Sequence, residues 1–350
     1  MKKNSRIYIA GHNGMVGSSI YFSLKKKGYR NLIVKSSKEL DLTNQKNVSS
    51  FFTKEKPEYV FLAAAKVGGI LANNTFRAQF IYENLQIQNN VIHESYKNNV
   101  KKLLFLGSSC IYPKFSKQPI KEEYLLTNLL EKTNEPYAIA KISGIKMCEA
   151  YADQYGCNFI SVMPTNLYGP NDNFDLNNSH VLPAIIRKLY LAKCLEDNNW
   201  QNIKNNLLDQ NKNQMELSNK QIVNILNSNG IKILKNSNKN EVIVNLWGSG
   251  LPKREFLHVD DLSEAAIYLM LNYNEKDYLN VGCGEDISIK DLAYLVKNII
   301  GFDGLVKFDS SKLDGTPRKL LDVSKLFSLG WKPKILLDQG IKKVYEDVFK

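Results

Sequence analysis

Gly11-His12-Asn13-Gly14-Met15-Val16-Gly17 stands between a strand-like run, Arg6-Ile7-Tyr8-Ile9-Ala10, and a stretch with helical spacing, Met15 to Lys27. No other feature narrows the fold as much. Glycines at GxxGxxG spacing permit a tight turn, let backbone approach a pyrophosphate and let the helix pack close, while the helix N-terminus offers N–H groups and a positive dipole to an anion. The loop predicts a dinucleotide seat at the start of an α/β sheet.

The alternation continues downstream. Apolar runs at Leu32 to Lys35, Tyr59 to Ala63, Lys102 to Leu106 and Asn158 to Met163 are separated by helical stretches such as Phe80 to Asn98. This order implies a Rossmann doubly wound parallel sheet with right-handed crossovers. Beyond Pro170 the pattern is less regular, with Val181 to Ala192 helical, Val242 to Trp247 strand-like, and Leu262 to Leu271 and Ile289 to Ile300 amphipathic. A smaller C-terminal α/β substrate-binding domain is expected. The expected boundaries are 1–166 plus about 256–282 for the nucleotide-binding domain, and 167–255 plus about 283–350 for the other. The stretch 196–241 is crowded with Asn, Lys and Gln, yet Ser218-Asn219-Lys220-Gln221 has capping-box spacing, an apolar set follows, and Gly230 falls where a helix would end. It reads as a helical insertion, and as a surface elaboration before a substrate lid.

Bulk properties exclude several classes. The net charge of +12 over 350 residues is spread along the chain and not gathered into runs, which argues against nucleic acid as a partner. Five cysteines without CxxC spacing argue against a disulfide framework and a structural zinc site, so no metal is expected. The start lacks the apolar core of a secretory signal, and no apolar run reaches membrane-spanning length. A reduced cytoplasmic protein is expected, with no membrane partner.

Candidate chemistry gathers around strand ends. After the second strand the chain reads Val34-Lys35-Ser36-Ser37-Lys38, where a carboxylate for a ribose hydroxyl is missing and two lysines favour the 2′-phosphate of NADP(H); Asp41 and Leu42 are placed for the adenine edge. Tyr137 and Lys141 form YxxxK, one helical turn apart on one face. An ammonium beside a phenol stabilises the phenolate, so the tyrosine can give a proton to a carbonyl oxygen as hydride reaches its carbon, with Ser108 bonding the same oxygen. Cys110, two residues after Ser108, would point toward substrate, although a free cysteine is commonly just a small buried hydrophobe. His180, beside a helix start, is either structural or functional. A thiolate and an imidazolium on opposite sides of a sugar ring can remove and return protons at carbons next to a ketone. Trp247 and Arg254, in WGSG and KREF, suit a nucleobase and a diphosphate, with Lys188 and Asp314 completing that set.

Taken together, these residues resemble the extended short-chain dehydrogenase/reductase superfamily. They are most similar to its GDP-L-fucose-forming branch, the bifunctional 3,5-epimerase/4-reductases of GDP-4-keto-6-deoxy-D-mannose. The strings that carry the likeness are Gly11 to Gly17, Ala63 to Ile70, Leu106 to Pro113, Asn134 to Lys141, Met163 to Pro170, Ser179-His180-Val181, Trp247 to Asp261 and Asp314 to Lys319. The resemblance implies reduction by Ser108, Tyr137 and Lys141, epimerisation by Cys110 and His180, and GDP-sugar contacts at Lys188, Trp247, Arg254 and Asp314. It also implies NADP(H) contacts at Gly11 to Gly17, Lys35, Asp41, Leu42, Leu106, Gly107, Ser108, Ser109, Lys141, Pro164, Thr165, Asn166, Leu167 and His180, and a homodimer. Two features depart from the family pattern: Asn13 and Ser37 stand where arginine is frequent, and the 196–241 insertion falls in the substrate lobe. A related GDP-keto-deoxyheptose would need the same chemistry. Reductase-only or epimerase-only relatives and a non-catalytic NADP-binding sensor are the other readings.

Overall fold

A computed structural model describes residues 1–208, 217–236, 239–312 and 314–350. In chain order the first part comprises β1 (Ile7–Ala10), α1 (Met15–Lys26), β2 (Leu32–Ile33), α2 (Gln45–Glu55), β3 (Tyr59–Leu62), α3 (Ile70–Thr75), α4 (Arg77–Lys97), β4 (Lys102–Leu106), α5 (Glu135–Tyr155), β5 (Phe159–Pro164) and β6 (Asn166–Tyr168). The remainder comprises α6 (Val181–Glu196), α7 (Trp200–Leu208), α8 (Asn219–Ser228), β7 (Ile231–Asn236), β8 (Lys239–Trp247), β9 (Lys253–Arg254), β10 (Phe256–His258), α9 (Val259–Asn272), β11 (Leu279–Val281), β12 (Ile287–Ser288), α10 (Ile289–Ile300), β13 (Leu305–Asp309), β14 (Arg318–Lys319), α11 (Ser324–Ser328) and α12 (Leu337–Phe349).

The chain divides into two compact units. The first takes Met1–Asp172, Glu255–Glu285 and Lys319–Ile335; the second takes Asn173–Arg254, Asp286–Arg318 and Leu336–Lys350. The sequence pattern had assigned the last of the first unit's segments to the other domain. In the first unit a parallel six-stranded sheet runs β11-β5-β4-β3-β1-β2. Strand alternation divides its residues between two cores, Tyr8, Val60, Leu103 and Phe105 in one and Ile7, Ile9, Phe61 and Leu104 in the other. The order reverses at β1, and ligands of open α/β sheets bind beyond the strand carboxyl ends at such a point. Gly11, Gly107 and Thr165 directly follow three of those ends. The glycine loop, the Ser108 loop and the Thr165 loop therefore open on one edge of the sheet.

In the second unit β8 lies between β13 and β7, and α6 packs on it. Here the structure corrects one expectation. Within 196–241, α7 and α8 are helical, and Ser218 and Gln221 form the capping box. The tail is instead β7, paired antiparallel with β8, because Gly230 turns the chain back at φ +83° and Ile231 enters the core. Parts of the insertion, 209–216 and 237–238, lie outside the described residues. The second strand is also shorter than expected, ending at Ile33.

Candidate active site

Gly11 adopts φ +87°, and a Cβ there would meet the Ala64 backbone at 2.8 Å. Gly17 is tighter still, since its Cβ would meet the Gly11 carbonyl oxygen at 2.2 Å. Only glycines let this loop fold under the start of α1. Gly14 occupies the N-cap with no side-chain hydrogen bond, and His12 Nδ1 is buried without a partner. Asn13, Met15 and Val16 complete the loop between them. An uncapped helix start beside an orphaned imidazole nitrogen fits an anionic group seated on the loop.

The region after β2 is less open than its sequence implies. Glu39, one residue beyond the stretch that lacks a carboxylate, folds back to accept hydrogen bonds from Ser36 N (2.8 Å) and Ser36 Oγ (2.7 Å), and stands 3.6 Å from Lys35 Nζ. Those Ser36 bonds hold its carboxyl below the ordinary range, with Lys35 adding to the effect. Asp41 is also engaged, accepting from Thr43 N and Oγ1, while Leu42 leans on the core and its carbonyl accepts from Asn90.

At the end of β4, Gly107 passes so close to Met163 that a Cβ would lie 2.3 Å from its Sδ. Close passage lets Ser108, in extended conformation, cap the short turn Ser109–Ile111 by accepting from Cys110 N at 3.2 Å. The Ser108 hydroxyl and the Cys110 sulfur both lie near enough to the Tyr137 phenol on α5 to act on it. Burial, helped by Cys110 and opposed by Ser108, pushes the Tyr137 phenol above the ordinary tyrosine range. The phenol keeps its proton at neutral pH.

Lys141 departs from the sequence reading. Its Nζ donates to the Leu106 carbonyl at 2.7 Å and lies 5.9 Å from the centroid of the Tyr137 ring, so it rests on the strand end and not on the phenol. Burial brings its pKa down to about 7. Ser108, Cys110, Tyr137 and Lys141 are nonetheless brought together in the first unit. Pro164 ends β5, Thr165 N donates to Val281 O, and Asn166 Nδ2 donates to Glu255 O at 2.8 Å. Leu167 pairs with Leu257.

Two residues without an assigned role in the sequence reading join this group. Asn134, at the N-cap of α5, lies close enough to influence Cys110, and Lys319 Nζ stands 3.5 Å from Cys110 Sγ. Burial pushes the Cys110 thiol up, but Lys319, Ser108 and Asn134 more than offset it and leave the group below the ordinary thiol range. Both newcomers lie inside strings that carry the family resemblance, and that is the one signal the sequence offered for them.

The second unit holds the remaining candidates. His180 is exposed and caps α6, accepting Ala184 N at its carbonyl. On the same helix Lys188 is buried, which lowers its pKa. Trp247 closes β8 with 73 % of its surface exposed, and Lys312 Nζ sits 5.8 Å from its ring. Gly248 follows at φ +86°, and this turn lets Asp314 accept from Ser249 N and Oγ at 2.9 and 2.6 Å. Gly315 would place a Cβ 3.1 Å from Arg254 Nη2. Trp247 at the end of β8, Arg254 at the end of β9 and Asp314 thus gather around neighbouring turns. Among the described residues no cluster could hold a metal ion, and no helix is long and apolar enough to cross a membrane.

The NAD dependent epimerase/dehydratase family matches residues 7–207 and 224–282. GDP-L-fucose synthase 1 of Arabidopsis thaliana is 52 % identical over 344 residues, covering 98 % of this chain and 93 % of that protein. A GDP-6-OMe-4-keto-L-xylo-heptose reductase structure from C. jejuni is 46 % identical at a TM-score of 0.91, covering 99 % of this chain and 98 % of that one. MlghC, a GDP-mannoheptose C4 reductase from Campylobacter jejuni with NADP bound, is 46 % identical at a TM-score of 0.86, with 99 % and 98 % covered. By fold, strand-end loops and full-length likeness, the chain belongs to the NAD dependent epimerase/dehydratase family and groups there with the GDP-L-fucose synthases.

Proposed function

We propose that this chain is an NADPH-dependent 3,5-epimerase/4-reductase that converts GDP-4-keto-6-deoxy-D-mannose into GDP-L-fucose. The observation that carries the reading is one loop supplying two chemistries, with Ser108 on the Tyr137 phenol and Cys110 in contact with a lysine. The 4-keto group acidifies the protons at C3 and C5. Cys110, as thiolate, takes a proton from carbon, the electron pair moves onto the ketone oxygen as an enolate, and His180 returns a proton from the other side. Each inversion leaves Cys110 protonated and His180 deprotonated, so both must exchange with solvent before the next. Bound NADPH supplies hydride to C4. Tyr137 gives the proton to the C4 oxygen, Ser108 holds that oxygen, and Lys141, held on the Leu106 carbonyl, orients the cofactor.

Support for the cofactor comes from the glycine loop, the orphaned His12 nitrogen and the NADP-bound relative. The holding residues in this reading are Gly11 to Gly17, Lys35, Leu42, Leu106 to Ser109, Lys141, Pro164 to Leu167 and His180, with Asp41 shaping the adenine end. Trp247 offers a flat face for the guanine, Lys188 and Arg254 positive charge for the diphosphate, and Asp314 an acceptor. A homodimer through α4 and α5 fits the exposed Tyr82 and Tyr155 on those helices, and a cytoplasmic location fits five free cysteines.

The test is to supply GDP-4-keto-6-deoxy-D-mannose and NADPH and determine product stereochemistry by NMR. GDP-L-fucose is the expected product; absence of NADPH oxidation overturns the reading. A second reading, a related GDP-4-keto-deoxyheptose as substrate, is favoured by the 0.91 TM-score to a heptose reductase. Running that sugar in parallel decides between them by kcat/KM.

A further inference from the structure

Lys319 reaches the Cys110 sulfur across 209 positions of sequence, its Nζ 3.5 Å from Sγ. The contact is built into the fold. Leu320 N donates to Gln118 Oε1 at 2.9 Å, Ile120 N donates to Leu320 O at 2.7 Å, and Leu321 N donates to the Glu255 carboxylate at 3.0 Å. That carboxylate also accepts from Cys283 N and Gly284 N, and Glu255 is wholly buried. Residues on both sides of the contact are thus anchored in the first unit, and the half-buried Lys319 is aimed from a fixed segment.

We propose that Lys319 is the positioning residue that keeps Cys110 as a thiolate, ready to take protons from the sugar carbons. An ammonium at this distance stabilises the anion and not the thiol, which is how neighbouring cations activate cysteines. The other groups facing the sulfur are weaker contributors: Ser108 and Asn134 bring dipoles, and Tyr137 brings a neutral phenol. The balance is a single proton moved, from sulfur to solvent at rest and from carbon to sulfur in turnover. This role rests on the epimerase reading for its purpose, but not for its measurement.

The experiment follows alkylation of Cys110 by iodoacetamide against pH in the substrate-free protein, by mass spectrometry of the Cys110 peptide, which separates it from the other four thiols. Lys319→Met should move the midpoint up by at least about one unit, so that the rate falls below the new midpoint and is unchanged well above it. Lys319→Arg, which restores the charge, should return the rate to within about threefold of wild type. Solvent deuterium entry at C3 and C5 of the keto sugar should fall in the same proportion. An unmoved midpoint in Lys319→Met overturns the proposal. If KM rises while the midpoint stays, Lys319 serves the diphosphate instead and the proposal is equally overturned. Wild-type protein that alkylates as expected yet exchanges no deuterium into GDP-4-keto-6-deoxy-D-mannose sinks the substrate assignment and leaves the Lys319–Cys110 coupling supported.

Discussion

Replacing Lys141 with Met should make the cofactor-free protein lose most of a pH-dependent rise in stability. Lys141 is 3 % exposed, and burial lowers its pKa from the ordinary 10.5 to about 7. At pH 6 the fold carries a buried ammonium; at pH 9 it carries a neutral amine, while the unfolded chain stays protonated at both. The unfolded state therefore binds more protons across this window, and stability rises with pH. Integrating that difference from pH 6 to 9 gives roughly two proton-pH units, about 2 to 3 kcal/mol at 1.36 kcal/mol each. Met has similar length and no charge, so this part vanishes in the variant. The lost hydrogen bond to Leu106 O costs about 1 to 3 kcal/mol, but equally at every pH. The assay is urea unfolding at pH 6, 7, 8 and 9, reading midpoint and slope for both proteins. Other titrating groups are shared and cancel in the comparison. Parallel profiles, within about 1 kcal/mol over the range, would refute the charge-burial argument. The variant should also be inactive, which makes Lys141 a residue whose charge is tolerated for function at the expense of stability.

Four further substitutions separate the parts of the site. Tyr137→Phe should keep deuterium exchange at C3 and C5 while reducing NADPH oxidation at least about 100-fold, and Cys110→Ser should do the reverse to exchange; a Tyr137→Phe enzyme with wild-type turnover removes the phenol from the mechanism. Gly17→Ala forces a Cβ to within 2.2 Å of the Gly11 carbonyl, so the loop must shift and the dissociation constant for NADPH should rise at least about tenfold, as read by fluorescence titration. Glu39→Gln keeps an acceptor for the Ser36 donors but removes the negative charge that stands 3.6 Å from Lys35 Nζ, in the stretch the NADP reading assigns to the 2′-phosphate. The KM ratio of NADH to NADPH should then rise about fivefold, and an unchanged ratio would mean that Glu39 swings clear on binding.

What the sequence disclosed, and what it withheld, follows from separation along the chain. Periodicity reports geometry among near neighbours. Tyr137 and Lys141 lie one turn apart on α5, Ser108 caps the turn that contains Cys110, and Ser218 meets Gln221, so spacing alone could find all three. Parallel strand order was legible for a related reason, because burial on both faces leaves short apolar runs between helices. Longer separations carry no such trace. The strand carbonyl that takes Lys141 is 35 positions away, Asp314 reaches the turn at Gly248–Ser249 from 65 positions away, and β7 is a strand because β8 is there to pair with it. Glu39 marks a subtler failure, since it is only one residue beyond the lysine-bearing stretch, yet its role depends on a backward turn that composition does not encode. The contact of Lys319 with Cys110 combines these limits. A lysine after Pro317-Arg318 is an ordinary surface residue by type, and it becomes part of the site only because buried Glu255 fastens Leu321 beside the loops that follow β4 and β5. The site's thiol is set by tertiary structure, so its midpoint should respond to loss of the Glu255 anchor as well as to loss of the Lys319 charge. Glu255→Gln, read by the same Cys110 alkylation profile, should raise the midpoint in a protein that still has Lys319; a wild-type profile there would place the anchoring elsewhere.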